Sequence, residues 1–349
     1  MSEKHKAKRR RYRTGDKELD AEIAELVASS GFDADEELLS QLVTSCFRLA
    51  RDRSDRGEMK LVNAALKEFA YAFKVFSDYR GTRKVSIFGS ARSGEDDPNY
   101  ELSRQFGAAM AERGWMVITG AGPGIMEAGH LGAGAERSFG ANIRLPFEGD
   151  ANEVIEGDPK LINFKYFFTR KVTFLKESHA FALFPGGFGT LDETFELLTL
   201  MQTGKSDLHP VVLLEAPGGT YWRDWERFIN RCLGSRGFIS QEDTNLFCMT
   251  QSVEQAVAQI ESFYRNYQSQ RYVQGALVLR VLRVPPKRAL TRMAREFSDI
   301  LDEPRIRVVE PSSLERAEGD ALDCGRIALG FNHRSNGRLR RLIDAINKY

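Results

Sequence analysis

Between residues 15 and 80, apolar side chains recur every three or four positions. Leu19, Ile23, Leu26 and Val27 share one helical face. Leu38, Leu39, Leu42, Val43, Cys46 and Leu49 share a second, and Leu61, Leu66, Phe69, Phe73 and Phe76 a third. That period predicts three amphipathic helices punctuated by Gly31 and Gly57. They form an N-terminal helical region over 15–82, expected to pack against the main domain.

From residue 83 the pattern changes to short apolar runs alternating with helical segments. Strands are predicted at Val85–Phe88, Trp115–Thr119, Ala141–Leu145, Phe181–Phe184 and Val211–Glu215. Helices are predicted at Tyr100–Arg113, Ile125–Glu136, Phe164–His179, Leu191–Met201 and Trp222–Leu233. Buried strands alternating with helices imply a doubly wound, Rossmann-like parallel sheet over 83–268, an α/β fold. Ligands of such sheets lie beyond the carboxyl ends of the strands, near the reversal in strand order. A third pattern, over 272–349, reads strand–helix–strand–strand–helix and predicts a small C-terminal α+β domain. Its last helix carries Arg338, Arg340 and Arg341. They fit a solvated basic face or an effector or subunit contact.

The chemistry concentrates in Pro185-Gly186-Gly187-Phe188-Gly189-Thr190-Leu191-Asp192-Glu193. A strand leads into it and a helix leads out. Glycines let backbone approach a ligand closely, and the first N–H groups of a helix favour an anion, most often phosphate. Gly186, Gly187, Gly189 and Thr190 are therefore candidate phosphate-binding residues, and Glu193 is a carboxylate beside them. Thr190 and Glu193 also have the spacing of a capping box, in which both side chains would only satisfy the helix end. A cap alone needs no run of glycines, which favours the ligand-binding reading.

A second turn, Gly120-Ala121-Gly122-Pro123-Gly124, follows the second predicted strand. It suits nucleotide or sugar-phosphate binding. It lacks the third glycine of a dinucleotide fingerprint, because Ile125 stands there, and the lysine of a P-loop. Arg170 and Lys171 sit on an unusually apolar helix among Phe167, Phe168, Phe174 and Leu175, just before the main turn. Charges emerging from such a helix are candidates for the site.

Composition narrows the picture. The net charge of +1 gives the chain as a whole no preference for nucleic acid or an anionic membrane. Basic residues cluster only in the first stretch, 1–14, read as a solvated tail. Cys46, Cys232, Cys248 and Cys324 are scattered, which suggests reduced thiols and a cytoplasmic location. His5, His130, His179, His209 and His333 show no metal-ligand spacing, so no metal site is expected. No apolar run is long enough to span a membrane.

Phe168-Thr169-Arg170-Lys171 followed by the Pro185–Glu193 segment resembles the signature of the LOG family. That family holds cytokinin-activating phosphoribohydrolases and bacterial nucleoside 5′-monophosphate nucleosidases. Ile87–Ala91, the Gly120 turn and Asn142–Glu148 match as well, so the resemblance covers roughly 83–260. It implies that Arg170 and Glu193 are the catalytic pair. It also implies that Gly186–Thr190 holds a 5′-phosphate, with Lys171, Gly120, Gly122 and Gly124 contributing to substrate binding. The implied reaction is hydrolysis of the N-glycosidic bond of AMP or another nucleoside monophosphate, by a homo-oligomer needing no metal or organic cofactor. A nucleotide sensor on the same fold is the alternative, and the intact Arg170 and Glu193 favour the enzyme. Many family members are labelled lysine decarboxylases. No lysine-centred motif for pyridoxal phosphate supports that chemistry in this chain.

Overall fold

The computed structural model describes residues 12–32, 35–143 and 151–349. Most of the basic N-terminal cluster, and residues 144–148 of the Asn142–Glu148 segment, lie outside them. The chain divides into two units, 1–68 and 69–349.

The first unit holds helices α1 (Lys17–Ser29) and α2 (Glu36–Arg51) and the beginning of α3 (Arg56–Ser77). Asp16 caps α1 by accepting from the N–H groups of Glu18 and Leu19, and Asp35 caps α2 by accepting from Leu38 N–H. Carboxylates at helix starts satisfy orphan donors and complement the helix dipole.

In the second unit the elements run as β1 (Lys84–Phe88), α4 (Pro98–Glu112), β2 (Met116–Thr119), α5 (Ile125–Ala133), β3 (Ser138–Ile143) and β4 (Leu161–Phe164). Next come α6 (Phe167–Glu177), β5 (Ala180–Leu183), α7 (Phe188–Gln202), β6 (Val211–Leu214), α8 (Tyr221–Phe228), β7 (Cys248–Thr250) and α9 (Val253–Phe263). The strands form one parallel sheet in the order β4-β3-β2-β1-β5-β6-β7. Every residue of β1, β2, β5 and β6 is buried, as expected for strands covered on both faces. The order reverses at β1, whose partners are β2 on one side and β5 on the other. The crevice beyond the carboxyl ends of β1 and β5 is thus the topological switch point.

β4 corrects the sequence reading, which began a helix at Phe164. Ile162 and Phe164 point inward while Asn163 is exposed, the alternation of a strand, and β4 pairs with β3 from Gly140↔Leu161 to Ile143↔Phe164. The helix starts only at Phe167. The aromatic run Phe164-Lys165-Tyr166-Phe167 blurs the change of period.

The chain ends in a four-stranded antiparallel sheet, order β10-β11-β9-β8, from strands β8 (Tyr267–Val273), β9 (Ala276–Val281), β10 (Leu301–Val308) and β11 (Gly325–Phe331). Helices α10 (Lys287–Glu296), α11 (Ser313–Glu318) and α12 (Asn336–Ile346) accompany it. β8 and α11 extend the predicted order. β8 pairs with β9 across a tight turn in which Gln274 and Gly275 both have positive φ, +51° and +84°. That geometry joins twisted strands, but Gln-Gly signals it weakly in sequence. The arginines of this sheet are paired internally. Glu315 accepts from Arg280 at 2.8 Å and from Arg326 at 3.2 Å, all three nearly inaccessible. On α12, Arg338 meets Asp299 at 3.1 Å, and Arg340 meets Asp344 at 3.1 Å. Of the three arginines expected on a solvated face or a contact, Arg338 and Arg340 are therefore paired within the fold and Arg341 is exposed.

α12 docks by an asparagine at each end. Asn336 Nδ2 donates to the Gln202 carbonyl at the end of α7 (2.9 Å), and Asn347 Nδ2 donates to the Phe263 carbonyl at the end of α9 (2.6 Å). Terminal helix carbonyls have no intrahelical donor, so each asparagine completes a helix of the parallel sheet. Gly337 is required there, because a Cβ would lie 1.9 Å from the Glu242 carbonyl.

Three histidines are held neutral, His130 buried and His179 and His209 half-buried. Burial pushes His130 and His209 down to about 4 and His179 to about 3, against an ordinary 6.5. A depressed histidine stabilises the fold fully above its unfolded value. The contribution is lost as pH falls from 6.5 toward the folded values, because only the unfolded chain takes up the proton. By pH 5 each histidine should cost on the order of 2 kcal/mol. The urea midpoint should therefore drop between pH 7 and pH 5, before most carboxylates titrate. A midpoint constant over that interval would show that these side chains are not held neutral.

Candidate active site

Three turns meet at the switch point. Ser90, just after β1, donates its N–H to the Pro185 carbonyl (3.1 Å), and its own carbonyl accepts from Ile125 N–H (3.1 Å). The turns after β1, β2 and β5 are thereby joined backbone to backbone. Such contact leaves no room for side chains. A Cβ on Gly124 would lie 2.5 Å from the Ser90 carbonyl, and Gly124 also has φ +71°. On Gly186 a Cβ would lie 2.1 Å from Thr190 Oγ1 and 3.0 Å from Ser90 N. At Gly187 and Gly189 a Cβ would meet nothing within 4 Å, so their surroundings are open.

Helix α7 begins at Phe188 with Gly187 in the capping position, and no side chain caps it. The capping-box reading of Thr190 and Glu193 therefore fails. Thr190 lies inside the first turn with its hydroxyl against Gly186, and Glu193 lies a further turn along. The N–H groups of the first turn are left to a ligand or solvent.

Glu193 is largely buried. Burial raises its pKa above the ordinary 4.5, and the positive charges of Lys171 and Arg170 only partly offset the rise. Arg170, on α6, donates through Nε to the Ala141 carbonyl (2.8 Å) and lies over the Phe174 ring. Its guanidinium covers Gly120 so closely that a Cβ there would stand 2.3 Å from Nη2. Gly120 is thus the seat of Arg170. Lys171 faces α7 instead: its Nζ meets Asp192 at 2.9 Å, Glu193 at 3.6 Å, and Glu196. One lysine shared among three carboxylates holds α6 to α7 and sets the field at Glu193. A groove of ≈ 420 Å³ lined by Lys171, Asp192, Phe195, Glu196, Thr199 and Leu200 runs along this ion-pair row.

The Gly120 turn is held from behind by polar groups that the sequence did not reveal. Ala121 has φ +61°, unusual for a residue with a Cβ. Its N–H donates to Thr119 Oγ1 (2.9 Å) and its carbonyl accepts from Asn152 N–H (2.8 Å). Asn152 Nδ2 donates to the Gly122 carbonyl (3.0 Å) and to Nδ1 of buried His130 (3.2 Å). His130 Nε2 faces the Phe139 carbonyl at 3.1 Å, which can only accept, so the proton sits on Nε2. Tyr221, at the start of α8, reaches the other turn: its hydroxyl donates to the Gly186 carbonyl at 2.7 Å. None of these residues carries a motif, and only the three-dimensional meeting of distant loops singles them out.

Residues 111–260 match the family model described as possible lysine decarboxylase. A cytokinin riboside 5′-monophosphate phosphoribohydrolase of Arabidopsis thaliana is 27% identical over 188 residues, covering 52% of this chain and 82% of that protein. Another, from Mycobacterium tuberculosis, is 28% identical over 166 residues, covering 45% of this chain and 82% of its own. Among solved structures, a molybdenum cofactor carrier protein from Chlamydomonas reinhardtii aligns over 52% of this chain and 96% of its own, at 21% identity and a TM-score of 0.36. That superposition is too loose to add to the topology above. With the Arg170-Lys171 pair and the Pro185–Glu193 turn brought to one crevice of a parallel sheet, the chain is similar to the LOG-type phosphoribohydrolases in both sequence and the position of its motifs.

Proposed function

We propose that the protein hydrolyses the N-glycosidic bond of nucleoside 5′-monophosphates, with AMP or another purine nucleotide preferred, releasing free base and ribose 5-phosphate. The observation that carries this reading is the placement of buried Glu193 one turn beyond an open glycine turn, within the field of Arg170. The phosphate binds the N–H groups at Gly187–Thr190, and the ribose then lies toward Glu193. Cleavage builds positive charge on the ribose, as in glycoside hydrolysis. An ionised Glu193 stabilises that charge or takes the proton of the attacking water. Arg170 steadies the substrate from its seat on Gly120. The names of the phosphoribohydrolase relatives support the same reaction class.

Two further parts of the reading have their own support. Cys46, Cys232, Cys248 and Cys324 are all free thiols, which suits a reducing, cytoplasmic compartment. The exposed rings of Phe167, Phe168 and Phe188 near the site suit a homo-oligomer. No helix among the described residues is long and apolar enough to cross a membrane.

Glu193→Gln removes the charge and keeps the shape. Base release, followed by chromatography, should fall by roughly two or more orders of magnitude while AMP still binds. Wild-type turnover in this variant would remove Glu193 from the chemistry. A second comparison tests the glycine turn: kcat/KM for AMP should far exceed that for adenosine, and equal values would refute phosphate binding at Gly186–Thr190. The third test concerns pH. Activity needs ionised Glu193, so it should fail on the acid side at a pH above the ordinary glutamate value. In Lys171→Met this acid limb should move further up, because a compensating positive charge is gone. An unmoved or lowered limb would show that Lys171 does not set the ionisation of the catalytic group.

A further inference from the structure

Tyr221 reaches the backbone of the glycine turn from a different crossover of the sheet. Its hydroxyl donates to the Gly186 carbonyl at 2.7 Å. The tyrosine is itself fixed. Its N–H donates to Glu215 Oε2 at 2.9 Å, and its ring stands edge-on to Trp222 with centroids 4.8 Å apart. Glu215 is only 5% exposed, and Gly219 makes room for it, because a Cβ there would lie 2.6 Å from Glu215 Oε2.

The peptide that Tyr221 grips joins Gly186 to Gly187. A trans peptide is planar, so its carbonyl and N–H point in opposite directions. A peptide between two glycines is also the least restrained by side chains and can rotate as a unit. Holding the Gly186 carbonyl toward Tyr221 therefore turns the Gly187 N–H away from Tyr221. Gly187 is the residue that caps α7, and its surroundings are open.

We propose that Tyr221 is a positioning residue for phosphate: its hydroxyl locks the Gly186–Gly187 peptide with the Gly187 N–H presented to the anion. This rests on the nucleotide reading of the site. It adds a residue from the β6–α8 crossover to a phosphate site otherwise built from the β5–α7 turn. Tyr221 touches neither the base nor the glycosidic bond in this arrangement, so its effect should follow the phosphate alone.

Tyr221→Phe removes one oxygen from a half-buried side chain. By titration calorimetry, Kd for ribose 5-phosphate should weaken about 3- to 10-fold, the scale of one hydrogen bond, while adenosine binds as in wild type. In AMP hydrolysis the loss should appear in KM more than in kcat. Equal weakening for ribose 5-phosphate and adenosine, or none for either, would overturn the proposal. So would a variant that no longer folds by circular dichroism, because the hydroxyl would then serve the fold. A wild-type protein that binds ribose 5-phosphate but releases no base from AMP would sink the hydrolase reading and leave Tyr221 to be judged on the binding ratio. A wild-type protein that binds no ribose 5-phosphate would sink both.

Discussion

The site depends on one residue's backbone. Ser90 gives its N–H to the turn after β5 and its carbonyl to the start of α5, so three loops from three strands meet at a single residue. Backbone groups come this close only where Cβ atoms are missing, which is why Gly124 and Gly186 face Ser90. A side chain at either glycine would push the loops apart and open the crevice between β1 and β5. The glycines of the two turns thus do different jobs. Gly124 and Gly186 hold the loops together, Gly120 seats the Arg170 guanidinium, and Gly187 and Gly189 leave the front of the turn open.

Electrostatics at the crevice is a balance rather than a simple ion pair. Asp192 and Glu196 raise the pKa of Glu193, Lys171 and Arg170 lower it, and burial decides the net direction upward. A buried carboxylate that is harder to ionise is a better proton acceptor once it is ionised. Lys171 therefore acts on the Glu193 carboxylate through its charge, and its ion pairs also fasten α6 to α7.

The alternation of strands and helices was legible because buried parallel strands are short, continuous apolar runs, as Val85–Phe88 and Phe181–Phe184 are. The glycine turn was legible for the same reason: its neighbours announce a strand and a helix. β4 was not, since aromatic residues on both sides of Lys165 fit either period. The capping-box spacing of Thr190 and Glu193 misled because sequence does not say where a helix starts. The cap of α7 is Gly187, three residues before the predicted Thr190 cap, and that shift takes Glu193 out of the cap. Asn152 and Tyr221 stayed hidden because each acts on a loop far from it in sequence. Tyr221 lies 35 residues from the carbonyl it holds, and no local pattern encodes such a pairing.

The two asparagines of α12 have a consequence for the order of assembly. The carbonyl ending α7 waits for a donor 134 residues downstream, and the carbonyl ending α9 for one 84 residues downstream. Contacts closed over such spans come late in folding, because the loop entropy must be met before they form. During vectorial synthesis the glycine turn and Glu193 emerge well before the helix bearing them has its far end secured. The helix that begins at the glycine turn is completed from the opposite end by an asparagine made 134 residues later.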